Sequence, residues 1–260
     1  MSILFSDEPT RDGERAYTHI DHGLVRVGNQ WLERVWSGFT GRTTNLLHKP
    51  GEYEWAAAKN PEFSVDVDGN TLSIEDFGEV EWSEACDDLG ASLVGAYRRP
   101  EIEVRIEQLA FHDAPGLLRT ATFFNCGRRE VKVGPAITES FELDQPENCE
   151  YQMNLRVSRE PDSGTRFSEI GAVITEERGL ILLAESKAQI VLGSQDLAAC
   201  SVRIGSKEIL APSQLATQAR SLLIAFEGDS QAALDRHLPE ILRRMRLHDR
   251  MMAKREREDE

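Results

Sequence analysis

The side chains in this sequence that could bind or transform a small molecule are its four tryptophans, six histidines and 45 carboxylates. The C–H faces of a sugar pack on aromatic rings, so a carbohydrate site needs one or two exposed indoles beside polar groups. Trp31 and Trp36 stand in strand-like runs and are expected to fill the core. Trp55, between Glu54 and a run of alanines, has a loop-like setting, and Trp82 lies in the acidic run EVEWSEACDD. Trp55 and Trp82 are therefore the candidate sugar-facing rings.

His19 and His22 stand three apart with Asp21 between them. On a helix that spacing could grip a metal. In an extended segment the two rings point to opposite faces. Nothing around them signals a helix, so no metal is expected. His112, in the turn HDAPG, and His48, before KPG, read as turn residues, with His112 open to solvent. Cys86, Cys126, Cys149 and Cys200 lack the close pairing of zinc sites and are expected to be thiols, some of them buried. There is no GxxxxGK, no GxGxxG after a strand and no GxSxG, so no phosphate-cradling loop or nucleophile elbow is expected. Arg98-Arg99 and Arg128-Arg129 read as solvated charges in loops. No cofactor is expected.

A net charge of −15 over 260 residues disfavours nucleic acid, whose phosphates need clustered Lys and Arg. It disfavours an anionic membrane surface for the same reason. The opening MSILFSDEPTRDGER has neither the basic start nor the apolar run of a secretory signal. No stretch approaches the roughly 20 apolar residues that cross a bilayer. A cytoplasmic protein is the expectation. With 40% hydrophobic residues, the chain can bury a sizeable core.

The elements that would position these groups are strands. Leu24, Val25 and Val27 lead to a turn at Gly28-Asn29, and the chain resumes through Trp31, Leu32, Val35 and Trp36, which is a hairpin signal. Phe63, Val65 and Val67 alternate with polar residues, Asp68-Gly69 turns, and Leu72 and Ile74 return. Ile102, Val104 and Ile106 share one parity while Leu109 and Phe111 take the other, which predicts a bulge near Gln108. Leu117–Phe124 and Val131–Leu143 are long strands joined by the turn at Asn125-Cys126-Gly127. Tyr151–Val157 reads as a strand and 158–167 as an exposed loop. The apolar runs Leu180–Ala184 and Ile190–Leu192 suit strands covered on both faces. Over a dozen strands with no βαβ alternation predict an all-β fold, a two-layer antiparallel β-supersandwich. The one helix is C-terminal and amphipathic. Ser230 is its expected cap, Pro239 kinks or restarts it, and Leu238, Ile241, Leu242, Met245 and Met252 form its apolar face. Arg243, Arg244, Arg246 and Arg250 line the other side. The predicted organisation is a flexible arm over 1–16, a sandwich over 17–229 and the helix over 230–260.

Two stretches, VGNQWLERVW…TTNLLHKPGEYEW…PEFSVDVDGNTLSIEDF and GLLRTATFFNCGRREVKVGPAITESFEL, resemble the N-terminal β-sandwich domain of the α-galactosidases of glycoside hydrolase family 36. FEGDSQAALDRHLPEIL is similar to the GD turn and helix that lead, in those enzymes, into the catalytic barrel. Here the chain stops, and its charged tail reads as a natural terminus. A stand-alone relative without hydrolytic activity is expected, because both catalytic carboxylates of that family lie in the barrel. The resemblance implies carbohydrate recognition in a concave sheet face, with Trp55 best matching a loop tryptophan that reaches over the sugar pocket. The same sandwich occurs in galactose mutarotase and related aldose epimerases, where one carboxylate and two histidines open and close the ring by general acid–base work. Those motifs are not recognisable here, and Glu107, Glu139 and His112 are the groups open to recruitment beside Trp55 and Trp82. One fold hosts many functions, and a third reading is an interaction module. It would form a homodimer, or meet a catalytic partner domain, through the C-terminal helix.

Overall fold

The computed structural model describes residues 15–21, 23–56, 62–157, 167–185, 188–194, 197–215 and 219–258. In chain order the strands begin with β1 (Tyr17–Ile20), β2 (Leu24–Gly28), β3 (Leu32–Ser37), β4 (Thr43–His48) and β5 (Tyr53–Glu54). There follow β6 (Ser64–Val67), β7 (Asn70–Ser73), β8 (Glu81–Cys86), β9 (Gly90–Arg98), β10 (Ile102–Phe111), β11 (Gly116–Asn125) and β12 (Val131–Glu142). The last are β13 (Glu150–Met153), β14 (Phe167–Ile174), β15 (Arg178–Glu185), β16 (Ala188–Ser194), β17 (Leu197–Ile204), β18 (Glu208–Leu210) and β19 (Ala219–Glu227), before the helix α1 (Ser230–Glu258). Three sheets result: a five-stranded meander of β1 to β5, an eight-stranded sheet in the order β13-β14-β15-β19-β11-β10-β9-β8, and a six-stranded sheet in the order β16-β17-β12-β6-β7 with β18 also paired to β12. The chain is an all-β sandwich with a C-terminal helix, as its alternation predicts.

The eight-stranded sheet is the central layer. Its inner face packs on the five-stranded sheet through Trp36, Leu46, Leu93, Leu117, Leu182 and Leu223. The same face meets the six-stranded sheet through Val65, Ile102, Val104, Phe123 and Val133. Its outer face is covered by α1, where Leu234, Leu238, Ile241, Leu242 and Met245 meet Leu109, Phe111, Leu118, Ile181, Leu183 and Ile224. Odd and even positions of β15 and β19 thus serve different cores, which is why LILLA and LLIAF read as unbroken apolar runs.

Several local expectations are corrected. β10 pairs with β9 and β11 in unbroken register through Gln108, so no bulge occurs there. The parity change arises because the apolar side chains of α1 meet the outer face from Leu109 onward, while Glu107 before it faces the polar His248. Bulges occur elsewhere, among them Thr44 of β4 opposite Val35/Trp36 of β3, and Val133/Ala136 and Ile137/Glu139 in β12. The cap of α1 is Asp229, whose Oδ1 accepts from Ala232 N at 2.7 Å, while the Ser230 hydroxyl donates to Gln152 Oε1 instead. The helix runs through Pro239 without a restart. Arg244 is buried beside Glu240 and Asp113 rather than on the wet side. β13 ends at Met153, short of Val157. Of the predicted arm, residues 1–14 lie outside the described residues, and Ala16 is buried with its N–H bonded to His112 Nδ1 at 3.0 Å. No described helix is long and apolar enough to cross a membrane.

Candidate functional site

The five residues singled out from the sequence do not converge. Trp55 is only 1% exposed, edge-on to Tyr53 within the core, and presents no face to a ligand. It is held there because its backbone N–H joins Leu46 O of β4 and its own carbonyl accepts from Asp144. Trp82 is half-buried, with its ring centroid 5.8 Å from that of Trp36 and its Nε1 donating to Gly38 O at 3.1 Å. Glu107 lies on the outer face of the eight-stranded sheet, 3.9 Å from His248 Nε2. His112 is not solvated. It is buried, its Nδ1 accepts from Ala16 and its Nε2 donates to Asp87 O at 2.7 Å, so the two ring nitrogens tie the β10–β11 turn to the N-terminal segment and to the β8–β9 turn. His19 is exposed on β1, and His22 lies outside the described residues. Among the described residues no group of three His, Cys, Asp or Glu is arranged to hold a metal.

Glu139 belongs to a buried ionic cluster. The β12 bulge changes parity between Ala136 and Phe141, both core residues, and so turns Glu139 inward. There it meets Arg34 of β3 at 2.9 Å and Arg119 of β11 at 3.7 Å. Glu62 closes the cluster from the segment before β6. Its Oε2 accepts from Arg34 at 3.1 Å, Arg119 at 3.2 Å and Trp36 Nε1 at 3.3 Å, and its Oε1 from Thr43 N at 2.6 Å. Burial opposes the charges. It pushes Glu62 upward, but Arg34 and Arg119 outweigh it and hold the carboxyl below its usual value. Burial likewise opposes the Arg34 cation, and Glu139 and Glu62 hold its pKa above the usual value. All four side chains are at most 1% exposed. The residual space beside them, among Trp36, Trp82, Tyr97 and Gln108, has no room for a water molecule. These side chains fill this part of the inner sheet face, where the resemblance implies a guest.

Open space with chemistry lies instead at one end of the sandwich. A cleft of about 440 Å³ is walled by Trp31, by His48 and Pro50 at the end of β4, by the end of β19 and the Gly228-Asp229 turn, and by Arg236 and His237 of α1. That volume lies in the range of roughly 300–1,000 Å³ typical of small-molecule sites. Trp31 is placed by Asn29, whose side-chain oxygen accepts from the backbone N–H of Trp31 and Leu32, both at 3.0 Å. The amide nitrogen of Asn29 donates to Ala114 O at 2.9 Å, fastening the hairpin to the β10–β11 turn. Gly228 takes φ +80, a left-handed turn that glycine adopts freely, and sends its N–H to Glu177 O. That turn aims the first turns of α1 at the cleft. His48 is 1% exposed and its Nδ1 has no hydrogen-bond partner, although an unmade bond on a buried polar atom costs about 1–3 kcal/mol. Burial lowers the pKa of His48, with Glu227 opposing and Arg178 reinforcing the shift. Burial and then Arg236 lower that of His237. Two imidazoles of lowered pKa, the carboxylates of Glu227 and Asp229, a guanidinium and a half-buried indole therefore line one space. Sequence reasoning missed this group. His48 reads as a turn residue and Trp31 as core, and nothing in HLPEIL marks His237 as facing β4.

No family model and no curated protein matches the sequence. Solved structures do match the fold. A family 36 α-galactosidase from Geobacillus stearothermophilus is 12% identical with a TM-score of 0.53, over 81% of this chain and 41% of that one. A galactose mutarotase-like protein from Clostridium acetobutylicum is 9% identical with a TM-score of 0.53, over 84% of this chain and 99% of that one. A galactose mutarotase related enzyme from Lactobacillus acidophilus is 11% identical with a TM-score of 0.50, over 81% and 97% respectively. The match spans less than half of the α-galactosidase and nearly all of the two mutarotase-like chains. At these identities the likeness establishes the fold that the sequence patterns resemble, a β-sandwich found in carbohydrate-related proteins.

Proposed function

We propose that this chain binds a carbohydrate in the cleft between Trp31, His48 and the first turns of α1. The observation that carries the reading is a cavity of about 440 Å³ lined by an indole and by His48, a buried histidine whose Nδ1 has no partner. A sugar supplies what that wall lacks. Its hydroxyls both donate and accept, matching a neutral imidazole, the Glu227 carboxylate and the Arg236 guanidinium, while its C–H face suits Trp31. The shared fold with a mutarotase-like protein supports the choice of ligand class. A thermal-shift panel of galactosides, glucosides and uronates tests it. A ligand at about a hundred times its Kd adds about 2.7 kcal/mol of stability and should raise Tm by several degrees. His48→Ala should abolish the rise. A flat response across the panel refutes the reading.

A second reading is favoured by one feature of the same cleft. His48, His237 and Glu227 line one space, the combination that ring opening and closing by general acid–base catalysis requires. On that reading the protein accelerates exchange between the α and β anomers of a free sugar. Polarimetry on freshly dissolved α-anomer separates the two, since a binding protein leaves the rate unchanged.

A further inference from the structure

The outer face of the five-stranded sheet brings a lysine, a phenol and a carboxylate together. Tyr17, Gly28, Glu33 and Leu47 stand opposite one another across β1 to β4, and directly paired residues share a face. Leu32 and its partner His48 point the other way, toward the core. Lys49 follows in the turn after β4, where its backbone N–H donates to Trp31 O at 2.9 Å. We propose that Lys49 is a reactive amine that condenses with small aldehydes to form an imine, with Tyr17 and Glu33 as its proton relay. This site is separate from the cleft and does not depend on the sugar reading.

Gly28 opens the path between Tyr17 and Glu33, since a Cβ there would come within 3.0 Å of Tyr17 Oη. The phenol reaches across it and donates to Oε2 of the buried Glu33. Lys49 Nζ donates to Tyr17 Oη at 3.3 Å and sits 4.8 Å from the ring centroid. Among the described residues no carboxylate forms an ion pair with it. A half-buried ammonium without an anion is disfavoured, and the free amine is the nucleophile. Burial accordingly lowers the pKa of Lys49, and Glu33 opposes this without cancelling it. Burial and then Glu33 hold the Tyr17 phenol above its usual value, so it keeps its proton and can receive from nitrogen while donating to oxygen. In the reaction Nζ forms a bond to the aldehyde carbon. Both amine hydrogens pass, by way of Tyr17 and Glu33, to the carbonyl oxygen. That oxygen departs as water and leaves the C=N bond, so no oxidant or reductant is needed.

The test is reductive trapping of the full chain with glycolaldehyde and cyanoborohydride, followed by peptide mass mapping of its six lysines. At about pH 7, Lys49 should be alkylated at least about tenfold faster than the exposed Lys132, Lys207 and Lys254. The contrast should shrink above about pH 10.5, where ordinary lysines also lose their proton. Tyr17→Phe keeps the ring and should slow Lys49 about tenfold or more, leaving the exposed lysines unchanged. Glu33→Gln, which keeps the side-chain shape, should slow it as well. Labelling of Lys49 at the rate of the exposed lysines, or fast labelling that both variants leave intact, overturns the proposal.

Discussion

Replacing Glu62 by Gln keeps the shape of the side chain and removes one charge from a cluster of two arginines and two glutamates. The wild-type cluster is neutral, and Glu62 receives donors from Arg34, Arg119, Trp36 and Thr43. The variant leaves a net positive charge among side chains no more than 1% exposed. Removing one partner of a buried ion pair costs about 3–5 kcal/mol, because the remaining charge stays desolvated. Against a total stability of roughly 5–15 kcal/mol, that is a large share. With a urea slope near 3 kcal/mol per molar, 3 kcal/mol lowers the unfolding midpoint by about 1 M. Glu75→Gln is the control. Glu75 pairs with Arg42 but is 72% exposed, and exposed pairs contribute about 0–1 kcal/mol. Equal midpoints for the two variants would refute the claim that this cluster closes the core between the sheets.

Other outcomes follow from the same structure. His48 and His237 have pKa values lowered by burial, so the unfolded chain binds protons that the folded chain resists. Their contribution to stability is full above about pH 6.5 and falls as the pH drops toward the folded values. Tm should therefore decline below that pH, and His48→Gln should shrink the decline; an unchanged slope counts against the buried neutral imidazole. Ile241→Ala, at the centre of the α1 contact with the sheet, should cost about 2–5 kcal/mol in urea unfolding, and a loss under half a kilocalorie would mean the helix is not docked. Asp229→Ala should cost about 1 kcal/mol by removing the helix cap, measured the same way, with no loss pointing to another cap.

Much of the fold was legible because burial on one face writes a period of two into a strand. SVDVDGNTLS announces β6 and β7, and the double-sided burial of β15 and β19 appears as unbroken apolar runs. The helix declared itself through Leu238, Ile241, Leu242 and Met245. Gln108 was misread because a change of parity has two causes, a bulge or a new covering layer, and the sequence does not distinguish them. The buried ions were hidden for a related reason. Arg34, Arg119 and Glu139 look like the polar faces of their strands, and only the pairing of distant segments turns them inward. The cleft was least legible. Trp31 and His48 stand about two hundred positions from Glu227 and His237, and none carries a local motif. Trp55 matched a sugar-facing position by its neighbours in sequence, yet its backbone bonds to Leu46 and Asp144 draw it into the core.

The most direct measurement is the long-range ¹H–¹⁵N spectrum of the histidine rings during titration with the sugar that the thermal-shift panel identifies. Sugar in the proposed cleft should shift the resonances of His48 and His237 along one saturable curve, while His112, tied to Ala16 and Asp87, stays fixed. Saturable sugar binding that leaves both His48 and His237 unmoved would contradict the account.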